Sequence, residues 1–236
     1  MIFQSALKSI SFFYLILIAS FSYSQDHNPE EILEKVKKAF EVVEDYTVNV
    51  KIVVDVNFLK MPETTAKIYF KKPDKIHFES EGFALLPKEG LNFSPNSLLS
   101  TKHTSIYNGE DTLNGSITSV IKIIPLEESG NLVLSTLWID KNNFLIRKIE
   151  STTKTNGTYS IDLFYDKGKK YPLPDKMVFS FNLSGLNLPK GMGGELPDKE
   201  QQNKDERTKG TVTIFYSDYI VNQGLSNSVF DEKKQK

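Results

Sequence analysis

From Tyr46 onward the apolar residues repeat at every second position, and this alternation returns along most of the remaining chain. Tyr46, Val48, Val50, Ile52, Val54 and Val56 alternate with the mostly polar Thr47, Asn49, Lys51, Val53 and Asp55. Successive side chains of a strand point to opposite faces, so the pattern predicts one long strand with a single apolar face. Met61-Pro62 marks a turn, after which Ala66, Ile68 and Phe70 alternate with Thr65, Lys67, Tyr69 and Lys71. Pro73-Asp74 turns the chain again, and Ile76 and Phe78 open a third strand, which predicts an antiparallel meander. Further strands are predicted at 105–107, 117–124, 132–139, 144–151, 159–165, 177–182 and 211–220, with turns at Asp140–Asn143, Asn156-Gly157 and Lys167-Gly168. So many strands after one helix predict a mainly β (α+β) fold. Its core is a single large antiparallel sheet, curled as a barrel or half-barrel.

The helix precedes the strands. Asn28 is a capping residue, Pro29 suits the first helical position, and Glu31 sits three after the cap. Ile32, Leu33, Val36, Ala39, Phe40 and Val43 follow at helical spacing and make one apolar stripe. The spacing predicts a helix laid on the sheet.

The first residues read as an address. Lys8 is the only charged side chain before Gln25, and Ile10 to Phe21 is almost wholly apolar. That run is shorter than the roughly 20 residues a spanning helix needs. Ser22 and Ser24 supply small residues before Gln25, so residues 1–24 are expected to be a secretory signal peptide cleaved after Ser24. One domain is expected over 25–236.

Two stretches break the alternation. Residues 82–100 carry Phe83, Leu85, Leu86, Leu91, Phe93, Leu98 and Leu99 among Gly, Pro and Ser. They read equally as a mobile flap over an apolar cavity or as a segment tucked into the core or one short helix. Residues 185–210 are rich in Gly, Pro and alternating charge and are expected to form a flexible exposed loop.

Composition excludes several classes of function. Lys+Arg number 29 and Asp+Glu 30, for a net charge of −1, which leaves no electrostatic footprint for nucleic acid. There is no cysteine, hence no disulfide scaffold, thiolate nucleophile, Cys-ligated zinc or cysteine lipid anchor. No Gly-x-Ser-x-Gly elbow and no His-Glu-x-x-His pair occurs. His27, His77 and His103 read as surface or satisfied histidines, and the carboxylates Glu79/Glu81 and Glu127-Glu128 as solvated strand ends. No catalytic residue, metal or cofactor is expected.

Three segments carry a family resemblance: Ile68-Tyr69-Phe70-Lys71-Lys72-Pro73-Asp74-Lys75-Ile76-His77-Phe78, then Leu137-Trp138-Ile139-Asp140 through Arg147-Lys148-Ile149, and Asp218-Tyr219-Ile220-Val221-Asn222 through Val229-Phe230. In this order after an N-terminal helix, the chain resembles the LolA-like outer-membrane lipoprotein-sorting proteins, a periplasmic carrier superfamily. The resemblance implies an unclosed half-barrel with the helix over its concave face. It implies a periplasmic carrier, or chaperone, that holds the acyl chains of lipoproteins or lipids during transport towards the outer membrane. Burying acyl chain contributes about 0.8 kcal/mol per CH₂, so such a carrier needs apolar area and no catalytic group. Implied partners are lipidated proteins or lipids, together with inner- and outer-membrane transport components; no nucleic-acid partner is expected, and a monomer is.

The expected ligand face comprises Val50, Ile52, Val54, Ile68, Phe70, Ile76, Phe78, Phe179 and Phe181, and the lid helix presents Leu33, Val36 and Phe40. In the best-known carriers an arginine after the second strand contacts the lid. The matching position here is Lys72, which donates to helix carbonyls but lacks the planar fork of arginine. Phe70→Asp is expected to abolish lipid uptake and leave the fold. The alternative function is a sensor or interaction module like RseB, reading lipid or misfolded protein in envelope stress with 185–210 as a docking segment. An exported hydrolase ranks last, because no nucleophile–base pair is visible.

Overall fold

The computed structural model describes residues 28–56, 59–60, 62–80, 99, 101–127, 130–155, 157–166, 168, 170–182 and 209–231. The expected signal peptide 1–24, the apolar stretch 82–100 apart from Leu99, and the expected loop at 185–210 up to Thr208 lie outside the described residues.

One helix, α1 (Pro29–Phe40), opens the described chain. Asn28 caps it, its Oδ1 accepting from the Glu30 amide at 3.1 Å. Glu30 and Glu31 in the first turn and Lys37 and Lys38 in the last complement the helix dipole. Leu33, Val36 and Phe40 are the buried residues of the stripe. Each contributes roughly 1.5–3 kcal/mol by burial.

The strands are β1 (Asp45–Val56), β2 (Leu59–Lys60), β3 (Thr64–Lys71), β4 (Lys75–Ser80), β5 (His103–Leu113), β6 (Ser116–Pro125), β7 (Leu132–Asp140), β8 (Ile146–Thr153), β9 (Gly157–Phe164), β10 (Lys176–Asn182) and β11 (Lys209–Val221). They form one antiparallel sheet in the order β4-β3-β1-β11-β10-β9-β8-β7-β6-β5, with the short β2 paired to β1. Strands β1, β3 and β4 make the expected meander, and β5 to β10 make a second one. The last strand, β11, enters between β1 and β10 and joins the two meanders. β4 and β5 are the two ends of the strand order and are not paired to each other, so the sheet is an unclosed half-barrel.

Turn chemistry accounts for several hairpins. Asn114 (φ 49°) and Gly115 (φ 80°) form the two-residue left-handed turn between β5 and β6, the backbone shape that Asn-Gly favours. Between β7 and β8, the buried Asp140 holds its turn through the Asn142 amide at 2.9 Å and Arg147 at 2.8 and 3.1 Å. Strand β8 begins at Ile146, two residues later than the alternation predicts, because Phe144 adopts φ 56° in that turn. Conversely, β5 runs well past Tyr107 to Leu113, and β11 starts at Lys209.

One face of the sheet is largely apolar, interrupted by the buried Ser119, Ser135, Ser151 and Thr153, of which Ser135 and Ser151 are hydrogen-bonded to each other at 2.7 Å. Val48, Val50 and Ile52 of β1, Ile121 and Ile123 of β6, Leu137 and Ile139 of β7, and Val212 and Ile214 of β11 are buried in a single cluster. Leu33 and Val36 of α1 and the isolated Leu99 belong to the same cluster. A second cluster under the end of the helix gathers Phe40, Val43, Phe70 and Leu173.

Candidate functional site

The helix is held unequally at its two ends. After Phe40 the chain enters residues 41–44, which are tied from two sides. Lys72 Nζ donates to the Glu41 carbonyl and lies 2.9 Å from Glu44 Oε1, while the Lys72 amide donates to the Glu44 carbonyl at 2.9 Å. From β11's end, Asn222 Nδ2 donates to the Val42 carbonyl, and the Glu44 amide donates to Asn222 Oδ1, both at 2.8 Å. At the other end, Ser105 Oγ on edge strand β5 donates to Glu30 Oε1 at 2.6 Å, and Lys35 lies 5.1 Å from the Phe144 ring centre.

Between the C-terminal half of α1 and the sheet lies a cavity of about 40 Å³. Val36 and Phe40 roof it, and Tyr46, Ile68, Leu163, Tyr165, Tyr216 and Tyr219 form its floor. Phe144 to Ile146 and Pro172 to Pro174 close its sides. A single water needs roughly 10–15 Å³ of such space, so the cavity admits a few small groups and no acyl chain as it stands.

The expected ligand face divides on inspection. Val50, Ile52, Ile68, Phe70 and Phe179 are buried, and Val54, Ile76, Phe78 and Phe181 are half-buried against the core. All nine pack in the two clusters, but only Ile68 among them lines the cavity. The others belong to the apolar clusters without touching that cavity. Phe70 is 1 % exposed, stacked on Tyr46 at 5.0 Å and edge-on to Phe40 at 5.9 Å. Aspartate there would carry a charge into an apolar cluster, so at this buried position Phe70→Asp is expected to destabilise the fold as well as any uptake.

Four tyrosines at the cavity were not singled out by sequence. Tyr46 comes from β1, Tyr165 from the end of β9, and Tyr216 and Tyr219 from β11. Tyr46 meets Tyr219 edge-on at 5.5 Å, and Tyr219 stacks on Tyr216 at 6.1 Å. Residues three apart on a strand ordinarily face opposite ways. Here Asp218 adopts φ 55° and the β1–β11 register shifts by one residue between Thr47 and Asn49. This bulge returns Tyr219 to the face of Tyr216. Burial pushes all four hydroxyls well above the ordinary tyrosine range, so they stay neutral.

His27 lies outside the described residues, and His77 and His103 each have their own neighbours. His77 packs its ring 5.7 Å from Tyr69, and His103 Nδ1 contacts the Thr101 carbonyl at 2.7 Å. Glu79 accepts from the Tyr69 hydroxyl at 2.6 Å; Glu81 and Glu128 lie outside the described residues. Among the described residues no group of three His, Asp or Glu side chains is placed to hold a metal.

Solved structures share this architecture. A LolA superfamily protein from Nitrosomonas europaea superposes with a TM-score of 0.57 at 12% identity, over 86% of this chain and 97% of its own. An outer membrane lipoprotein-sorting protein domain from Vibrio parahaemolyticus gives 0.60 at 13% identity over the same shares. A DUF1329 family protein from Desulfovibrio piger gives 0.55 at 12%, again over 86% and 97%. No family model and no curated protein sequence matches the chain. The chain therefore has a LolA-like fold: an open antiparallel half-barrel whose apolar face is covered by an N-terminal helix.

Proposed function

We propose that this chain is an exported, periplasmic carrier that binds the acyl chains of a lipid or lipidated protein between α1 and the apolar sheet face, without catalysing a reaction. The observation that carries this reading is a largely apolar sheet face over which, among the described residues, lies one amphipathic helix firmly clamped at its C-terminal end. Acyl chains need area rather than chemistry, and that face supplies it at about 0.8 kcal/mol per buried CH₂. The cavity is too small to hold a chain with the helix in place, so loading requires the helix to lift. Its clamped C-terminal end is the pivot, and its N-terminal end, tied at Glu30 to Ser105, is the end that parts from β5. A signal peptide at 1–24 would deliver the chain to the compartment where such cargo travels. The likeness in fold to the lipoprotein-sorting protein domain from Vibrio parahaemolyticus supports the same class of cargo.

The test is to purify the protein from the envelope of its own cells and analyse it by lipid mass spectrometry. Stoichiometric acylated species are expected. Protein that carries no lipid, and that takes up no alkyl-chain fluorophore when offered one, overturns the proposal.

A further inference from the structure

The cavity wall has a chemistry that apolar burial alone does not require. We infer that it is a subsite for an uncharged hydrogen-bond acceptor, the ester or amide carbonyl at the head of an acyl chain, received by the hydroxyls of Tyr46 and Tyr216. The inference rests on the carrier reading and adds the class of head group that the site takes.

The hydroxyls divide two and two. Tyr165 donates to the Ile146 carbonyl at 3.1 Å and Tyr219 to the Pro174 carbonyl at 2.8 Å, so both are occupied. Tyr216 has only the Met177 thioether, at 3.9 Å, and sulfur is a weak acceptor. The Tyr46 hydroxyl has no hydrogen-bond partner among the described residues. Both hydroxyls are thus available as donors on the cavity wall, and a ligand oxygen placed between the two would accept from them.

The rest of the lining decides the charge of that ligand. Among the described residues no charged side chain lines the cavity. Pro172 and Pro174 have no N–H, and the Leu173 amide already donates to the Tyr171 carbonyl at 2.8 Å. The cations described nearest the wall stand behind lining rings: Lys35, 5.1 Å from the Phe144 ring centre, and Arg147, 5.3 Å from the Tyr165 ring centre and paired with Asp140. A carboxylate or phosphate would enter this space with no cation among the lining side chains to contact it, which is costlier than a neutral carbonyl. The raised tyrosine pKa values keep the phenols protonated, so they remain donors at any physiological pH.

The experiment displaces an alkyl-chain fluorophore from the full mature chain with hexadecane, methyl palmitate and palmitate at pH 8. Methyl palmitate is expected to compete about tenfold better than either of the others, the worth of one or two hydrogen bonds. In the double variant Tyr46→Phe, Tyr216→Phe, the ester-over-alkane ratio is expected to fall towards one. Thermal unfolding checks that both proteins fold; if the double variant does not, Tyr46→Phe alone is read instead. A second readout is the infrared stretch of ¹³C-carbonyl methyl palmitate, which moves to lower frequency in the native protein and less in the variant. Palmitate competing as well as the ester, or a ratio and a stretch unchanged by the substitutions, overturns the subsite while leaving the carrier standing. Failure of every probe to bind overturns both. Dipalmitoylglycerol and a dipalmitoylated cysteine peptide, offered in parallel, separate a free lipid from a lipoprotein as the source of the carbonyl.

Discussion

At the scale of single residues, two groups of side chains decide how the site is held and under what conditions. Asp45 starts β1 and is 4 % exposed. Its Oδ1 accepts from the Gln223 amide at 2.9 Å, and its Oδ2 from Gly224 and Leu225 at 2.9 and 3.2 Å. The carboxylate therefore nails the segment after β11 to the rim where α1 ends. Asp45→Ala leaves three N–H groups without their acceptor, at a cost of about 2–4 kcal/mol. For a chain of this size thermal unfolding should drop by roughly 5–15 °C; a shift under about 2 °C contradicts the assignment. The buried tyrosines give a pH dependence. Their folded pKa values lie above the ordinary value of 10, so their contribution is complete below pH 10 and is lost as pH rises beyond it. Urea midpoints should be flat from pH 8 to near 10 and then fall, and Tyr216→Phe should soften that fall. Asp140 has the opposite sense. Desolvation raises its pKa, but the Asn142 amide and Arg147 outweigh it and hold the carboxyl below its ordinary value. Its contribution is present above about pH 4 and fades as pH falls further.

At the scale of elements, the helix and its anchors form the working part. Lys72 stands at the end of β3's inward-facing row, and its ammonium closes on the carbonyl at the helix C-terminus and on Glu44. Lys72→Met keeps the apolar stem and removes the ammonium. It should lower stability by about 1 kcal/mol, since the pair is partly solvated. Hydrogen exchange at residues 41–44 should rise while exchange in β6 and β7 stays slow. Equal acceleration throughout the sheet would mean that Lys72 is no local anchor. Leu33→Ala empties a fully covered position between helix and sheet and should cost about 2–5 kcal/mol, read as a lower denaturant midpoint.

At the scale of the whole molecule, the period of the apolar residues made most of the architecture readable. It set the helix, the strands and the inner parity of Val50, Ile52, Ile68, Phe70 and Phe179, because a half-buried sheet enforces strict alternation. It did not reveal the cavity. One extra residue at Asp218 reverses the parity of everything after it, so Tyr216 and Tyr219 read as opposite-facing when they are neighbours. A similar shift near Ile139 puts Arg147 beside Asp140. Nor does local pattern say that β11 pairs with β1, more than 150 positions earlier, since that contact is set by closure of the core rather than by a turn. Among the described residues one amphipathic helix lies across the apolar face of a sheet with two unpaired ends, and the central proposal is that acyl chains enter beneath that helix. The absence of native cysteine makes a direct measurement available. Glu30→Cys and Ser105→Cys, joined by a short bis-maleimide, would fasten the free end of α1 to β5, and uptake of an alkyl-chain fluorophore would be followed with and without the linker. The account predicts that the linked protein, still folded by thermal unfolding, loses most of its uptake while the unlinked double variant retains it; equal uptake by the two would contradict entry beneath the helix.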